Sequence, residues 1–344
     1  MTEFAVGRVR AVVIVGAWRT NPPGVVRPHP ERTALLEARG ALLYWDVLDR
    51  RDHPAAEIHD SDLAADWLWE IYGPDAASAI LNGDDTITTE WDSPVLDAAR
   101  RLAHLRWAEA WWPSSHAAAI PALDTGLLRA ETAWRTAAVE HLLDDDEAVE
   151  RALADADVAA AQAHGATELT AALEALAEDY GIELRREPAQ LRREDWALAA
   201  SGTPAVDFAL ASGGGPVAWE RVPQGLVDAA AGATWTLTQR EGGLAVHVTV
   251  PAAPEARDLR LAAAIGNVDV PLRLDPATGD FTGEAEAPQA FLMLPAAQRN
   301  LWVYSPDFVS EPVDAEEAPH RAAIIEYARE RRTDPNASLA ERAA

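Results

Sequence analysis

The chain has 344 residues, 49% hydrophobic and 25% charged, a length beyond one ordinary core and a balance that excludes long disorder. Its formal net charge is −27 and all 29 basic residues are arginine, so phosphate backbones are repelled unless a local arginine patch intervenes. With no cysteine, disulfides, thiolate nucleophiles and cysteine-ligated zinc are excluded.

Behind Arg8 and Arg10, the apolar run AVVIVGAW at 11–18 is predicted to be a buried strand rather than a signal sequence, because the run is short and lacks a small-residue cleavage site. The composition of residues 31–39 predicts a short helix closed by Gly40, and 41–48 a second strand, giving a β-α-β order that pairs in parallel. Residues 60–72 read as a helix capped by Asp60 or Ser61, with Gly73-Pro74 as its stop. A tryptophan-rich helical hairpin follows. Ser93 and Pro94 start its first helix; Ala99, Ala103, Trp107 and Trp111 recur every fourth residue, and Pro113 ends it. Asp124 caps the second helix, whose stripe runs through Leu127, Ala130, Trp134 and His141 to Asp144, Asp145 and Asp146. Residues 147–164 and a helix capped by Thr167 and ending at Gly181 extend the helical part.

From Glu194 onward the period changes to short alternating runs separated by glycines, with Gly213-Gly214-Gly215 and Gly242-Gly243 read as hairpin turns. The fold class expected is α+β. An α-rich domain occupies 1–181 (1–90 mixed α/β, 92–181 a helical bundle), a linker 182–193, an antiparallel β-sandwich of immunoglobulin- or transthyretin-like form 194–310, with a small barrel as the alternative, and a C-terminal helix 314–332. The linker holds the densest basic patch, Arg185, Arg186, Arg192 and Arg193, read as a solvated hinge; no nucleic-acid partner is expected.

Candidate chemistry is sparse. There is neither a phosphate-binding glycine loop nor a GxSxG or HExxH motif, and no cofactor is expected. His53, His59, Asp60 and Asp62 offer imidazole and carboxylate ligands within ten residues, which a divalent ion could use with Asp46 or Asp49; helix capping by Asp60 is the competing role. On the hairpin, His104, Glu109, Glu131, Glu140 and His141 resemble a di-metal bundle in composition but lack its Glu-x-x-His pairs, so polar contacts between packed helices are expected. Of 13 tryptophans, Trp107, Trp111 and Trp134 are assigned to the core, and Trp112, turned about 100° from Trp111 on a helix, and Trp69, two residues from Trp67, to exposed or interfacial positions. Asp144, Asp145 and Asp146 are read as a solvated junction, with docking of an arginine-rich partner as the alternative.

The stretch Leu105-Arg106-Trp107-Ala108-Glu109-Ala110-Trp111-Trp112-Pro113-Ser114, with Ala122-Leu123-Asp124, Leu127-Leu128-Arg129-Ala130-Glu131, Arg193-Glu194-Asp195-Trp196-Ala197-Leu198-Ala199 and Val222-Pro223-Gln224-Gly225-Leu226-Val227-Asp228, resembles an uncharacterised actinobacterial family encoded beside MoxR-type AAA+ ATPases and von Willebrand factor A-domain proteins. The resemblance covers roughly residues 102–228. It implies a third component working with an ATPase and a metal-binding adaptor. Three readings follow: a cytoplasmic, non-enzymatic scaffold with protein partners and no membrane segment; a metal-assisted hydrolase using residues 53–62; and a sugar- or peptide-binding module using exposed tryptophans.

Overall fold

The computed structural model describes residues 2–9, 12–16, 29–49, 51–184, 209–240, 243–295, 298–308 and 317–344. These fall into two compact units. The first runs to Trp111, resumes at Asp124 through the helices before the β-rich part, and includes Arg332–Ala343; the second comprises Trp112–Leu123 and the β-rich part through Arg331. The arginine patch at 185–193 and the first alternating runs, residues 194–208, lie outside the described residues.

In the first unit, β1 (Thr2–Val9) and β2 (Val12–Gly16) form a hairpin, and β3 (Thr33–Ala38), β4 (Ala41–Asp46) and β5 (Ala55–Ile58) a meander. With β6 (Thr86–Thr89) they build a six-stranded sheet of order β3-β4-β5-β2-β1-β6, antiparallel at each pairing. This corrects the expected helix at 31–39 and the parallel pairing. Leucine, glutamate and alanine favour a helix, but Ala34, Leu36 and Ala38 are buried while Leu35 and Glu37 face out, a period of two that a helix cannot supply. Gly40 makes the tight return at φ +76°, where an added Cβ would lie 2.5 Å from the Asp60 carbonyl oxygen.

The expected helix over 60–72 is two, α1 (Ser61–Ala65) and α2 (Leu68–Tyr72), and Pro74 begins α3 (Pro74–Asn82) instead of ending a helix, as its preset φ allows at a first position. Asp60 caps α1 through the amides of Asp62 and Leu63. The hairpin helices are α4 (Pro94–Trp111) and α5 (Thr125–Ala138). Their caps are as read: Ser93 Oγ accepts from Leu96 N at 2.9 Å, and Asp124 from Leu127 N at 2.8 Å. Trp107 is 2% exposed and its indole donates to the Glu31 carbonyl; Trp67 does the same to Arg39. Each such ring contributes about 2–3 kcal/mol through apolar burial, and the N–H bond fixes its orientation. Residues 147–164 split into α6 (Ala148–Asp155) and α7 (Val158–Ala163), because Asp157 caps a new helix at Ala160 N; α8 (Thr167–Tyr180) ends at Gly181.

The second unit is one seven-stranded antiparallel sheet: β7 (Ala209–Pro216), β8 (Gly232–Arg240), β9 (Gly243–Val250), β10 (Leu261–Ile265), β11 (Val268–Leu274), β12 (Phe281–Ala287) and β13 (Leu301–Tyr304), in the order β13-β10-β11-β12-β9-β8-β7. The sheet curls until β13 lies beside β7 and β8, so it is nearly a barrel and not the two stacked sheets of a sandwich. The inner faces of all strands converge on one core containing Leu237, Val246, Val248, Ile265, Val270, Phe281 and Phe291. Gly213, Gly214 and Gly215 are strand residues of β7, paired with Trp235, Thr234 and Ala233, which corrects their reading as a turn. Helix α9 (Glu317–Arg331) belongs to this unit and buries Ile324 and Ala328; α10 (Leu339–Ala343) belongs to the first.

Candidate functional site: an arginine-lined groove

Curling the sheet without closing it leaves two edges. Among the described residues β7 pairs on one side, with β8, and β13 on one side, with β10. Along them runs a groove of about 490 Å³ whose walls are residues 212–216 of β7 and 299–303 leading into β13, with Trp235 at its floor. Three guanidinium groups line it, from Arg221, Arg299 and Arg321.

Each arginine is placed by a different element. Arg221 ends the 3-10 turn Trp219–Arg221 and is locked by its carbonyl, which accepts from Ser305 N at 2.9 Å; its guanidinium lies 4.6 Å over the Trp302 ring. Arg299 donates to the Leu294 carbonyl from Nε at 2.8 Å and from Nη2 at 2.6 Å. Arg321, on the first half of α9, lies 5.0 Å over Trp219. Stacking on an indole face fixes the plane of a guanidinium at little entropic cost. Trp235 meets Phe291 edge-on at 5.8 Å and reaches across to β7, where an added Cβ on Gly213 would sit 2.8 Å from its Nε1. The glycine is there to admit the indole.

Elsewhere in this unit, a buried carboxylate ties residues 112–123 to the β-rich part. Asp228, 3% exposed, accepts from Ser115 Oγ at 2.6 Å, His116 N at 2.7 Å, Ala117 N at 3.1 Å and the amides of Ala230 and Ala231 at 3.0 Å each. Burial opposes its charge, yet the Ser115 hydroxyl and the surrounding amides outweigh that and hold the carboxyl below its ordinary range. That anchor, with the Ser115–Ile120 bridge, explains why residues 112–123 belong to this unit and not to the hairpin whose helices they join.

Comparison with known families, with curated proteins and with solved structures finds no match.

The residues singled out from sequence are distributed as follows. No three of His53, His59, Asp60 and Asp62 bring ligand atoms within 4.8 Å of one another. His53 is buried, stacked on Tyr72 at 6.3 Å with Phe4 edge-on at 6.5 Å, and burial lowers its pKa; His59 and Asp62 are exposed, and Asp60 is spent as a cap. Trp69 is 47% exposed, as expected, but Trp112 is buried at 5% and donates to the Pro121 carbonyl. Helix α4 ends at Trp111, so the helical rotation used to place Trp112 outside does not apply to it. Asp144, Asp145 and Asp146 are exposed ahead of α6, with Asp145 paired to Arg151.

The five polar hairpin residues do not converge. Glu109 meets Arg129, His141 meets Glu70 and Glu140 meets Tyr180. His104 and Glu131 hold α10 instead: Glu131 accepts from Leu339 N and Ala340 N, and His104 lies 2.9 Å from the fully buried Glu341, which also receives the Ser338 amide and hydroxyl. Ser338 and Glu341 form a capping box, a signature visible in the sequence. The groove arginines leave no such mark, being spread over positions 221, 299 and 321.

Proposed function

We propose that this chain is a non-enzymatic binding component of a multiprotein assembly, and that its β-unit receives an extended segment of a partner protein along the edge of β7 that is unpaired among the described residues. The observation that carries this reading is the edge itself. A strand edge offers a row of amide donors and carbonyl acceptors, and proteins normally blunt such an edge with charge, proline or a cover. Here the middle of β7 is Ser212-Gly213-Gly214-Gly215, all surface-accessible. Glycine weakens a strand on its own account and suits a place where another backbone comes close. Main-chain pairing supplies affinity in strand addition while pockets supply specificity. Support against catalysis comes from how two of the buried acids are used, Asp228 and Glu131 each being occupied by backbone amides. The partners implied by the sequence resemblance are a MoxR-type AAA+ ATPase and a von Willebrand A-domain protein.

Hydrogen exchange tests this. Mixed with those two proteins from the same host, the chain should show slowed exchange at residues 211–215 of β7. Unchanged exchange along β7, with protection confined to other surfaces, defeats the proposal.

A further inference from the structure

We infer that a second recess of the β-unit, bounded by Trp302 and distinct from the β7 edge, binds a neutral saccharide. Trp302 stands between the arginine-lined groove and a cavity of about 440 Å³, a size that suits a small ligand. On β13 the neighbouring Val303 is buried in the core, so strand alternation points Trp302 outward. Its cross-strand partner on that face is Ala264, too small to cover an indole. Arg221 occupies one face of the ring at 4.6 Å, yet the residue is still 41% exposed. The ring is braced on one face and accessible elsewhere, so a stacking partner need not order it first. The rim of the cavity is fixed as well. The β10–β11 turn brings Gly266 so near the next wall that an added Cβ would lie 3.1 Å from Leu294 Cδ1 and 3.3 Å from the Gln298 carbonyl oxygen. Arg299 secures that wall by donating to the Leu294 carbonyl.

The lining decides the class of ligand. Asn267, Gln298 and Asn300 contribute to it, and among the described residues no acidic or basic one does. A charged ligand would be desolvated there without a counter-charge. None of the three carboxamides makes a side-chain hydrogen bond among the described residues. A wholly apolar ligand would strip them of water and return no bond. Each carboxamide both donates and accepts, and so does a sugar hydroxyl. A proline-rich strand, another ligand that docks on exposed aromatic rings, lacks amide hydrogens and leaves the carboxamide oxygens unmatched. A pyranose with equatorial hydroxyls carries C–H groups on both faces, so it lays an apolar face on the indole while its rim addresses the amides. The fitting ligand is thus a neutral oligosaccharide of gluco configuration.

Nuclear magnetic resonance titration of the isotope-labelled full chain, followed through its indole N–H signals, tests this; the signal missing from Trp302→Phe belongs to Trp302. Cellohexaose at millimolar concentration should move that signal along a saturable curve, and Trp302→Ala should weaken binding roughly tenfold or more. Asn300→Ala, at an exposed position, should weaken it roughly threefold or more, and keeps the test decisive if the Trp302 variants fold poorly. An all-glucuronate analogue of cellohexaose and decaproline should both bind more weakly than cellohexaose. Equal binding of the glucuronate chain overturns the selection of a neutral ligand. Tighter binding of decaproline overturns the saccharide reading in favour of a peptide site. An unmoved Trp302 signal, or cellohexaose affinity unchanged by Trp302→Ala and Asn300→Ala, defeats the inference outright.

Discussion

Replacing Asp228 with asparagine removes one negative charge from a site where five donors converge. Each hydrogen bond to a charged group contributes about 1.5–3 kcal/mol, but five of them do not sum, because His116, Ala117 and Ala230 are exposed residues whose amides can turn to water. The Ser115 hydroxyl cannot, since that residue is 1% exposed, and the asparagine amide points a donor at donors. The expected loss is about 3–4 kcal/mol at neutral pH, near the cost of breaking a buried charged contact. The sign with pH follows from the depressed pKa. The carboxylate's contribution is present above the unfolded value of about 3.9 and is lost as pH falls through the lower folded value. Urea denaturation followed by tryptophan emission should therefore show Asp228→Asn well below the wild type at neutral pH, with the gap closing in acid. Equal midpoints at neutral pH, or a gap that persists unchanged below the folded pKa, would refute the assignment of this carboxylate as the anchor of residues 112–123.

Glu131→Ala should speed hydrogen exchange at Leu339 and Ala340 while leaving α4 and α5 protected, since the carboxylate is what accepts those two amides. Burial raises the Glu131 pKa, with Glu341 adding to it, so its contribution to stability is full below the ordinary carboxyl value and is lost as pH rises through the folded one; Glu131→Gln should flatten that slope in a denaturation series. Burial lowers the His53 pKa, which places its contribution above about pH 6.5 and loses it as pH falls through the folded value; His53→Phe should remove that acid-side decline in melting temperature. Gly213→Val places a branched side chain against the Trp235 indole and should cost about 1–3 kcal/mol, read as a lower urea midpoint with a shifted emission maximum.

Features that depend on a few neighbouring residues were readable from the sequence. Ser93, Asp124 and Asp60 cap the helices they were expected to cap, because a cap needs only a short polar side chain ahead of free amides. Thr33–Ala38 was misleading because its leucines and alanines have high helix propensity, while the strand is fixed by pairing with β4 across Gly40, and tertiary pairing outweighs propensity. The glycines of β7 resemble a turn for a similar reason: a strand that depends on one neighbour and an indole laid over Gly213 has no alternating pattern to show. The groove was illegible, since its arginines become neighbours only when the sheet curls. Asp228 stood inside a quoted motif, yet its partner Ser115 lies more than a hundred residues away.

The two buried carboxylates explain how so acidic a chain keeps arginines for a groove. Asp228 and Glu131 are both desolvated, and their pKa values move in opposite directions. What differs is the count of donors: Asp228 has a hydroxyl and four amides, whereas Glu131 has two amides and faces a second carboxylate on Glu341. Enough donors overcome burial; two do not. In neither case is a guanidinium within hydrogen-bonding distance among the bonds that hold the group. Backbone amides, which every residue carries and which add no net charge, stabilise the interior acids. Arginine in this chain is therefore not consumed by buried acids at either anchor; Arg221 rests on an indole face and Arg299 on a carbonyl.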